Sequence, residues 1–368
     1  MADSACGESW PGLRAEVRSL VATWDFVPRS DAWLRSFDPA FSRKLAARGL
    51  VAMTYPAEYG GGGRTHVERL VVTEELLRAG APVAAHWIGD RQIGPSILRH
   101  GSPELRKEIL PMIASARAVF CLGMSEPGAG SDLAAARTAA TPCAGGWRLT
   151  GHKIWTSHAH RATHAYVLAR TSTGERKHEG LTEFVVDMDS DGVRVSPIVD
   201  LAGEHHFNEV HFEDVFVPAH RVIGEPDHGW RQVVEQLSFE RGGAERVLSS
   251  YPVLRELVRA TAESADPGLR ERLGMLAARL AVLRRMCFDV ARAMDEGLAP
   301  VQESATLKYL GNAFEADVIE ALRDTGAGVD AGPESVYGQA LLASPAFSLR
   351  GGAADVLLGM IAKREARV

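Results

Sequence analysis

Two short runs carry the residue types that can do chemistry: Ser125–Leu133 (SEPGAGSDL) and His152–His160 (HKIWTSHAH). The first is a Gly-rich turn with hydroxyls at Ser125 and Ser131, in which Gly128 and Gly130 let the backbone come close to a ligand. Ser125 can donate to a carbonyl or a ring nitrogen. The second sets Trp155 beside the hydroxyls of Thr156 and Ser157 on a predicted strand. Together they suit a flat ring system with polar edges, such as a flavin. Hydroxyls and backbone groups bond the ring edge, and the indole covers its face.

The rest of the chain must hold these runs in place. It has 368 residues, 46% hydrophobic and 24% charged, which is ordinary for a globular protein of two or three domains. The formal charge of -6 argues against nucleic acid or an anionic membrane surface as partner, and it makes any phosphate recognition a local matter. Cys6, Cys121, Cys143 and Cys287 form no CxxC pair, and no histidine cluster has metal-ligand spacing along the sequence, so free thiols in a reducing compartment and no metal are expected. Charges scattered through the start of the chain (Asp3, Glu8, Arg14, Glu16) and the lack of a long apolar run predict no signal peptide, no membrane span and a cytoplasmic location.

The first third reads as helical. Thr65 and Glu68 form a capping box opening a helix to about Arg78, and Ser102-Pro103-Glu104 is a second start signal. The four glycines Gly60–Gly63 mark a loop. The middle third reads as strands: Val119–Met124, Gly146–Thr150, Ala165–Thr171, Thr182–Met188 and Val193–Ile198, with Val210, Phe212, Val215 and Val217 alternating before Pro218. From Gly229 onward helices return. Leu269, Leu273, Leu276, Leu280, Leu283, Cys287, Val290 and Met294 make one apolar stripe on a long bundle helix, and Ala354–Arg364 reads as a final short one. A β layer between helical domains creates clefts in which ligands commonly bind.

The motifs, in this order, resemble the acyl-CoA dehydrogenase family. MSEPGAGSDLAAARTAA resembles its signature turn, and GHKIWTSHAHRATHAYVLART its flavin-facing strand. GEHHFNEVHFEDVFVP followed by HGWRQVVEQLSFER resembles the end of its β domain and the helix that follows. The resemblance implies an α+β fold: an N-terminal helical domain (1–118), a middle β-barrel or sandwich domain (119–225) and a C-terminal four-helix bundle (226–368). It implies FAD, bordered by the backbone from Leu122 through Met124 to Ser125 and covered by Trp155, with Thr156 and Ser157 on its edge and Ser131 nearer the acyl carrier. The implied reaction takes a proton from the carbon beside a thioester carbonyl and a hydride from the next carbon to the flavin N5. Backbone N–H groups stabilise the growing enolate.

Many members place the base in a Glu-Gly-Thr motif, but here the matching stretch is Arg350-Gly351-Gly352-Ala353, with Gly351 at the glutamate position. Others carry it in Leu-x-x-Glu-Arg, which Leu237-Ser238-Phe239-Glu240-Arg241 matches. Glu240 is therefore the expected base, its pKa raised by burial. Arg241 is expected to shape the pocket or pair with a carboxylate, and Gly351 to offer its N–H to the thioester oxygen with Gly352 beside it. Glu126 and Asp132 are expected to hold the turn together, Glu209 and Asp214 to end strands, and His205 and His206 to lie in a surface loop. Trp87, Phe239 and Phe347 are expected in the core.

Three features depart from the family pattern. The Arg-x-x-Phe-Gly motif is absent from Leu254–Arg259 and Glu271–Leu276, Asp324–Gly332 stands in place of Gln-x-x-Gly-Gly-x-Gly-Tyr, and Ala353 replaces the usual Thr. All concern the phosphate side of the cofactor. By resemblance the partners are an acyl-CoA or acyl-carrier-protein thioester and an electron-transfer flavoprotein or similar acceptor. The assembly is a homo-oligomer, or a hetero-oligomer with an unlike related subunit that shares the flavin sites. Two alternatives stay open: the same fold turned to non-redox chemistry on a thioester, and a non-catalytic subunit of a heteromeric dehydrogenase.

Overall fold

The computed structural model describes residues 10–324 and 330–365, without the side chains of Ser238, Phe239, Glu240, Glu263, Arg364 and Glu365. Cys6 and residues 325–329 of the Gly-rich loop lie outside the described residues. Helices α1 (Pro11–Ala22), α2 (Ala32–Arg35), α3 (Pro39–Ala46), α4 (His66–Ala79), α5 (Ala84–Ile88), α6 (Gly94–His100) and α7 (Pro103–Ala114) come first. Strands β1 (Phe120–Gly123), β2 (Ala139–Cys143), β3 (Gly146–Lys153), β4 (His164–Arg170), β5 (Leu181–Asp187), β6 (Val193–Val199), β7 (His205–Pro218) and β8 (Val222–Ile223) follow. Helices α8 (Gly229–Arg241), α9 (Glu245–Leu248), α10 (Tyr251–Glu263), α11 (Pro267–Asp295), α12 (Val301–Arg323), α13 (Val336–Ala343) and α14 (Ala354–Glu365) complete the order. Both expected helix starts form. Thr65 and Glu68 make both bonds of a capping box, and the Ser102 hydroxyl accepts from the Leu105 N–H at 3.1 Å.

The chain folds as two units. One holds residues up to Phe41, Arg64–Ala84 and Ser238 onward; the other holds Ser42–Gly63 and Ala85–Leu237. In the helical unit, α11 packs on α4, α10 and α12, while α12 also meets α9, α13 and α14. The stripe on α11 is core: Leu269, Leu276, Leu283, Cys287 and Val290 are buried, and Leu273, Leu280 and Met294 half-buried. Two buried carboxylates on α4 tie three helices together. Glu74 accepts from Arg14 of α1 and from Arg284 of α11 (2.7–3.0 Å), and Glu75 accepts from Arg14 and Arg18.

The other unit is built on one sheet in the order β6-β7-β3-β2-β4-β5-β8, with β1 pairing parallel to β4. Cys121, Leu149, Val167, Phe184, Val210, Phe212, Val215 and Val217 meet in its core. The change of parity between Phe212 and Val215 comes from one extra residue on β7 opposite Leu149–Gly151, where Asp214 takes φ 52°. The bulge resets the alternation so that both halves of the strand keep apolar side chains inward. Asp214 and Glu209 thus lie within β7 and not at strand ends. Strand β2 lacks an apolar run and contains Pro142. It forms because the turn at Gly145 (φ 80°) folds it onto β3, while its only register partner on β4 is Ala139↔Arg170, so Pro142 breaks no ladder.

Candidate active site

In the sheet unit the two motif runs are joined by a buried charge. Leu149, Gly151 and Lys153 share the inward face of β3, so the Lys153 ammonium is carried into the interior, fully buried. It donates to the Met124 carbonyl (3.1 Å), the Leu168 carbonyl (2.7 Å) and the Glu126 carboxylate (2.8 Å). Glu126 also accepts from the N–H groups of Arg137 (2.7 Å) and Thr138 (2.9 Å), and its backbone closes the turn through a pair of 3.0 Å bonds with Ala129. Burial pushes the Lys153 ammonium down to about 8 against the pull of Glu126. Burial alone raises the Glu126 carboxyl, but Lys153 and the two backbone donors together hold it below its ordinary value. Directly beyond, the Ile154 N–H donates to the Ser125 carbonyl at 2.9 Å. Leu122, Met124 and Ser125 are half-buried along this edge; Ser131 and Asp132 are exposed, the latter paired with Lys177. Glu126 therefore holds the turn, as expected, whereas Asp132 serves its surface.

Trp155 is not on a strand. Strand β3 ends at Lys153, and Trp155 takes φ 59°, a left-handed conformation that turns the chain. Its indole is 56% exposed and meets Phe207 edge-on, with centroids 5.7 Å apart. Thr156 is strapped to β7: its N–H donates to the Asn208 carbonyl (3.0 Å), and the Asn208 Nδ2 donates to its carbonyl (2.9 Å). The buried Asn208 in turn accepts at Oδ1 from His205 (2.7 Å) and His160 (3.1 Å). His206 lies on β7 and is 3% exposed; it is not a loop residue, because the strand begins one residue earlier and its parity turns His206 inward. Ser157 is half-buried.

The Thr156 hydroxyl is buried with no hydrogen-bond partner among the described residues. An unsatisfied buried hydroxyl costs free energy unless a bound group supplies its partner. The residues therefore fit a flat ligand with a polar edge: an exposed indole for the face, an orphaned hydroxyl beside it, and turn glycines (Gly128, Gly130) with open space where a Cβ would lie.

In the helical unit, Gly351 and Gly352 take φ 67° and 111°, which side chains rarely tolerate. Arg241, at the end of α8, donates its Nε–H to the Gly351 carbonyl at 3.0 Å. Because the peptide is planar and trans, this bond aims the Gly352 N–H the opposite way. A Cβ on Gly352 would lie 3.4 Å from the Arg241 guanidinium. The neighbouring Arg350 is ion-paired with Asp31 and sits over the rings of Trp33 (4.9 Å) and Phe347 (4.6 Å). The loop is thus pinned on both sides. Glu240 lies on α8, its side chain outside the described residues, as is that of Phe239. Trp87 and Phe347 are core, 1% and 2% exposed. Reading the motifs alone misses Lys153 and Asn208; for Lys153, the inward parity of Leu149 and Gly151 was the available signal.

A helical N-terminal region, a sheet domain bearing these two joined turns and a helical C-terminal region define the three-domain acyl-CoA dehydrogenase fold. The family's N-terminal domain matches residues 12–117, its middle domain 121–215 and its C-terminal domain 227–366. The chain belongs to the acyl-CoA dehydrogenase family. It is 41% identical over 239 residues to acyl-CoA dehydrogenase IpdE1 of Mycobacterium tuberculosis, a match covering 64% of this chain and 62% of that protein. The chain thus spans about three fifths of this curated relative. Among solved structures, a steroid ACAD, Tcur3481-Tcur3483, superposes with TM-score 0.85 and 26% identity over 97% of both chains. The ChsE4-ChsE5 complex from Mycobacterium tuberculosis does so with TM-score 0.84 and 26% identity over 97% of this chain and 96% of that one. Among the described residues, no helix is long and apolar enough to cross a membrane.

Proposed function

We propose that this chain is an FAD-dependent dehydrogenase that introduces an α,β-double bond into an acyl thioester. The observation that carries the reading is the clamp between the motif turns, which sets the exposed Trp155 next to the buried, unpartnered Thr156 hydroxyl. The backbone of Leu122, Met124 and Ser125, with Trp155, Thr156 and Ser157, would hold the isoalloxazine. When bound, that ring supplies the acceptor for the substrate's β-hydride. Glu240 takes the α-proton, and a carboxylate on α8 suits that task once burial raises its pKa. Arg241 fixes the Gly351–Gly352 peptide, so that the backbone N–H donors of this loop meet the thioester oxygen as negative charge grows on it. Gly352 borders the acyl group with its backbone, and Ser131 addresses the carrier.

The relatives' names, acyl-CoA dehydrogenase and steroid ACAD, favour CoA over a carrier protein and put steroid-derived acyl-CoA thioesters first in a substrate panel. Electrons pass onward to an electron-transfer flavoprotein or a similar acceptor. The missing phosphate-side motifs, together with a neighbour described as a two-protein complex, favour a hetero-oligomer in which an unlike subunit completes the cofactor site. The test is the absorbance spectrum of the chain purified alone and with a co-expressed related subunit, followed by anaerobic titration with thioesters. Bleaching of a bound flavin by a cognate thioester supports the reading. A flavin that no thioester bleaches supports non-redox chemistry. A stable homo-oligomer with stoichiometric FAD removes the need for a second subunit.

A further inference from the structure

A second cluster of chemical groups lies on the outward face of the sheet. His152 and His211 are direct partners across β3 and β7, and Glu209 is two residues from His211 on the same face. All three are about one-third exposed. Their ring and carboxylate ligand atoms lie within 4.8 Å of one another. The Glu209 Oε2 is 3.1 Å from His152 Nε2 and 3.5 Å from His211 Nε2, and the two imidazoles stack with centroids 4.0 Å apart and planes 14° from parallel.

We propose that His152, Glu209 and His211 form a binding site for a divalent transition ion of the zinc class, with water in the remaining position. Two imidazoles and one carboxylate are the ligand set of zinc sites that keep a position open. A tetrahedral ion at its usual bond lengths sets neighbouring ligands about 3.3 Å apart, and the two observed separations straddle that spacing. Each lone pair lies in its own ring plane, so binding one ion requires both imidazoles to leave the stack, their centroids parting from 4.0 Å to about 5 Å. Strand β7 lies between β3 and β6 at this point, which fixes the backbone of Glu209 and His211, and His152 is held by its ladder pairing with His211, so the ion's arrival has only side chains to reorient. Arg194, which pairs with His211 from β6, is bound to Glu213, so its charge has a partner of its own on this face. The site is invisible to linear spacing because its ligands come from strands 57 and 59 residues apart. An ion here joins β3 to β7 just before the turn that carries Trp155 and Thr156.

The experiment uses the purified flavoprotein, treated with EDTA, dialysed and titrated calorimetrically with Zn²⁺. One equivalent is expected to bind with micromolar affinity, with Ni²⁺ competing and millimolar Mg²⁺ or Ca²⁺ not. The double variant His152→Ala/His211→Ala should lose at least about 100-fold in affinity and Glu209→Gln at least about 10-fold, as loss of coordinating groups demands. Circular dichroism and flavin content show whether each variant remains folded, and X-ray absorption of the zinc-loaded wild type reads two imidazoles directly. His206→Ala is the control, because Asp200, Glu204 and His206 form the other candidate group among the described residues. No saturable uptake, undiminished uptake in the double variant, or loss only in His206→Ala overturns the proposal.

Discussion

The Lys153–Glu126 pair makes a strong energetic prediction. In Lys153→Met the apolar stem is retained, because Met is of similar length and adaptable shape. The ammonium is lost, and with it the donor to Met124, Leu168 and Glu126. Removing one partner of a buried ion pair costs about 3–5 kcal/mol, since the other charge stays buried without compensation. Glu126 keeps two backbone N–H donors, which places the expected loss near the lower end, about 3 kcal/mol. The assay is urea unfolding at pH 7, followed by circular dichroism and with slopes compared between variants. Flavin affinity is measured in parallel, because the same pair holds the two turns together. In the double variant Lys153→Met/Glu126→Gln no charge is left alone, so its loss should fall at least about 1 kcal/mol short of the sum of the single losses. A Lys153→Met protein within about 0.5 kcal/mol of wild type, or strict additivity in the cycle, refutes the clamp.

Two further predictions concern buried polar groups. Burial pushes the Glu183 carboxyl up to about 7, although Tyr166, Gln232 and Ser96 offset part of that rise. The folded state therefore keeps a proton that the unfolded chain releases near 4.5, so this group's contribution is full below that pH and is lost as pH rises to about 7. Glu183→Gln, compared with wild type by unfolding across pH 4–8, should flatten that decline and leave the variant ahead at pH 8 by on the order of 2–3 kcal/mol; a pH-independent difference contradicts it. Thr156→Val removes the unpartnered hydroxyl, so the flavin-free protein should be as stable as wild type or more so, while flavin affinity falls roughly 5–10-fold, the worth of one hydrogen bond. Calorimetric melting and fluorescence titration read the two effects separately, and an unchanged flavin affinity argues against contact between Thr156 and the ring.

Local signals were legible in the sequence wherever one residue type has one dominant use. Thr65 with Glu68, Ser102 before Pro103, and the α11 stripe each carry their own physics, and each formed. What escaped depends on partners distant in sequence. Strand β2 exists because a hairpin folds it onto β3, and its own residues do not announce a strand. Trp155 reads as strand because Ile154, Trp155 and Thr156 all have high β propensity, yet β3 stops at Lys153 and a positive φ turns the chain. His206 reads as a surface loop residue, and strand parity buries it. The motifs single out the two turns, but the charge that joins them sits on a lysine whose importance appears only when Glu126, Met124 and Leu168 converge on it.

The central claim is that Glu240 takes the α-proton of a thioester bound beside a flavin. Stopped-flow mixing of the flavin-loaded enzyme with a cognate thioester, without oxygen, tests it most directly in wild type and Glu240→Gln. The account predicts rapid loss of the oxidised flavin absorbance in wild type and a rate about 10²–10⁴-fold lower in the variant, with thioester affinity little changed. Equal rates in the two proteins would contradict it.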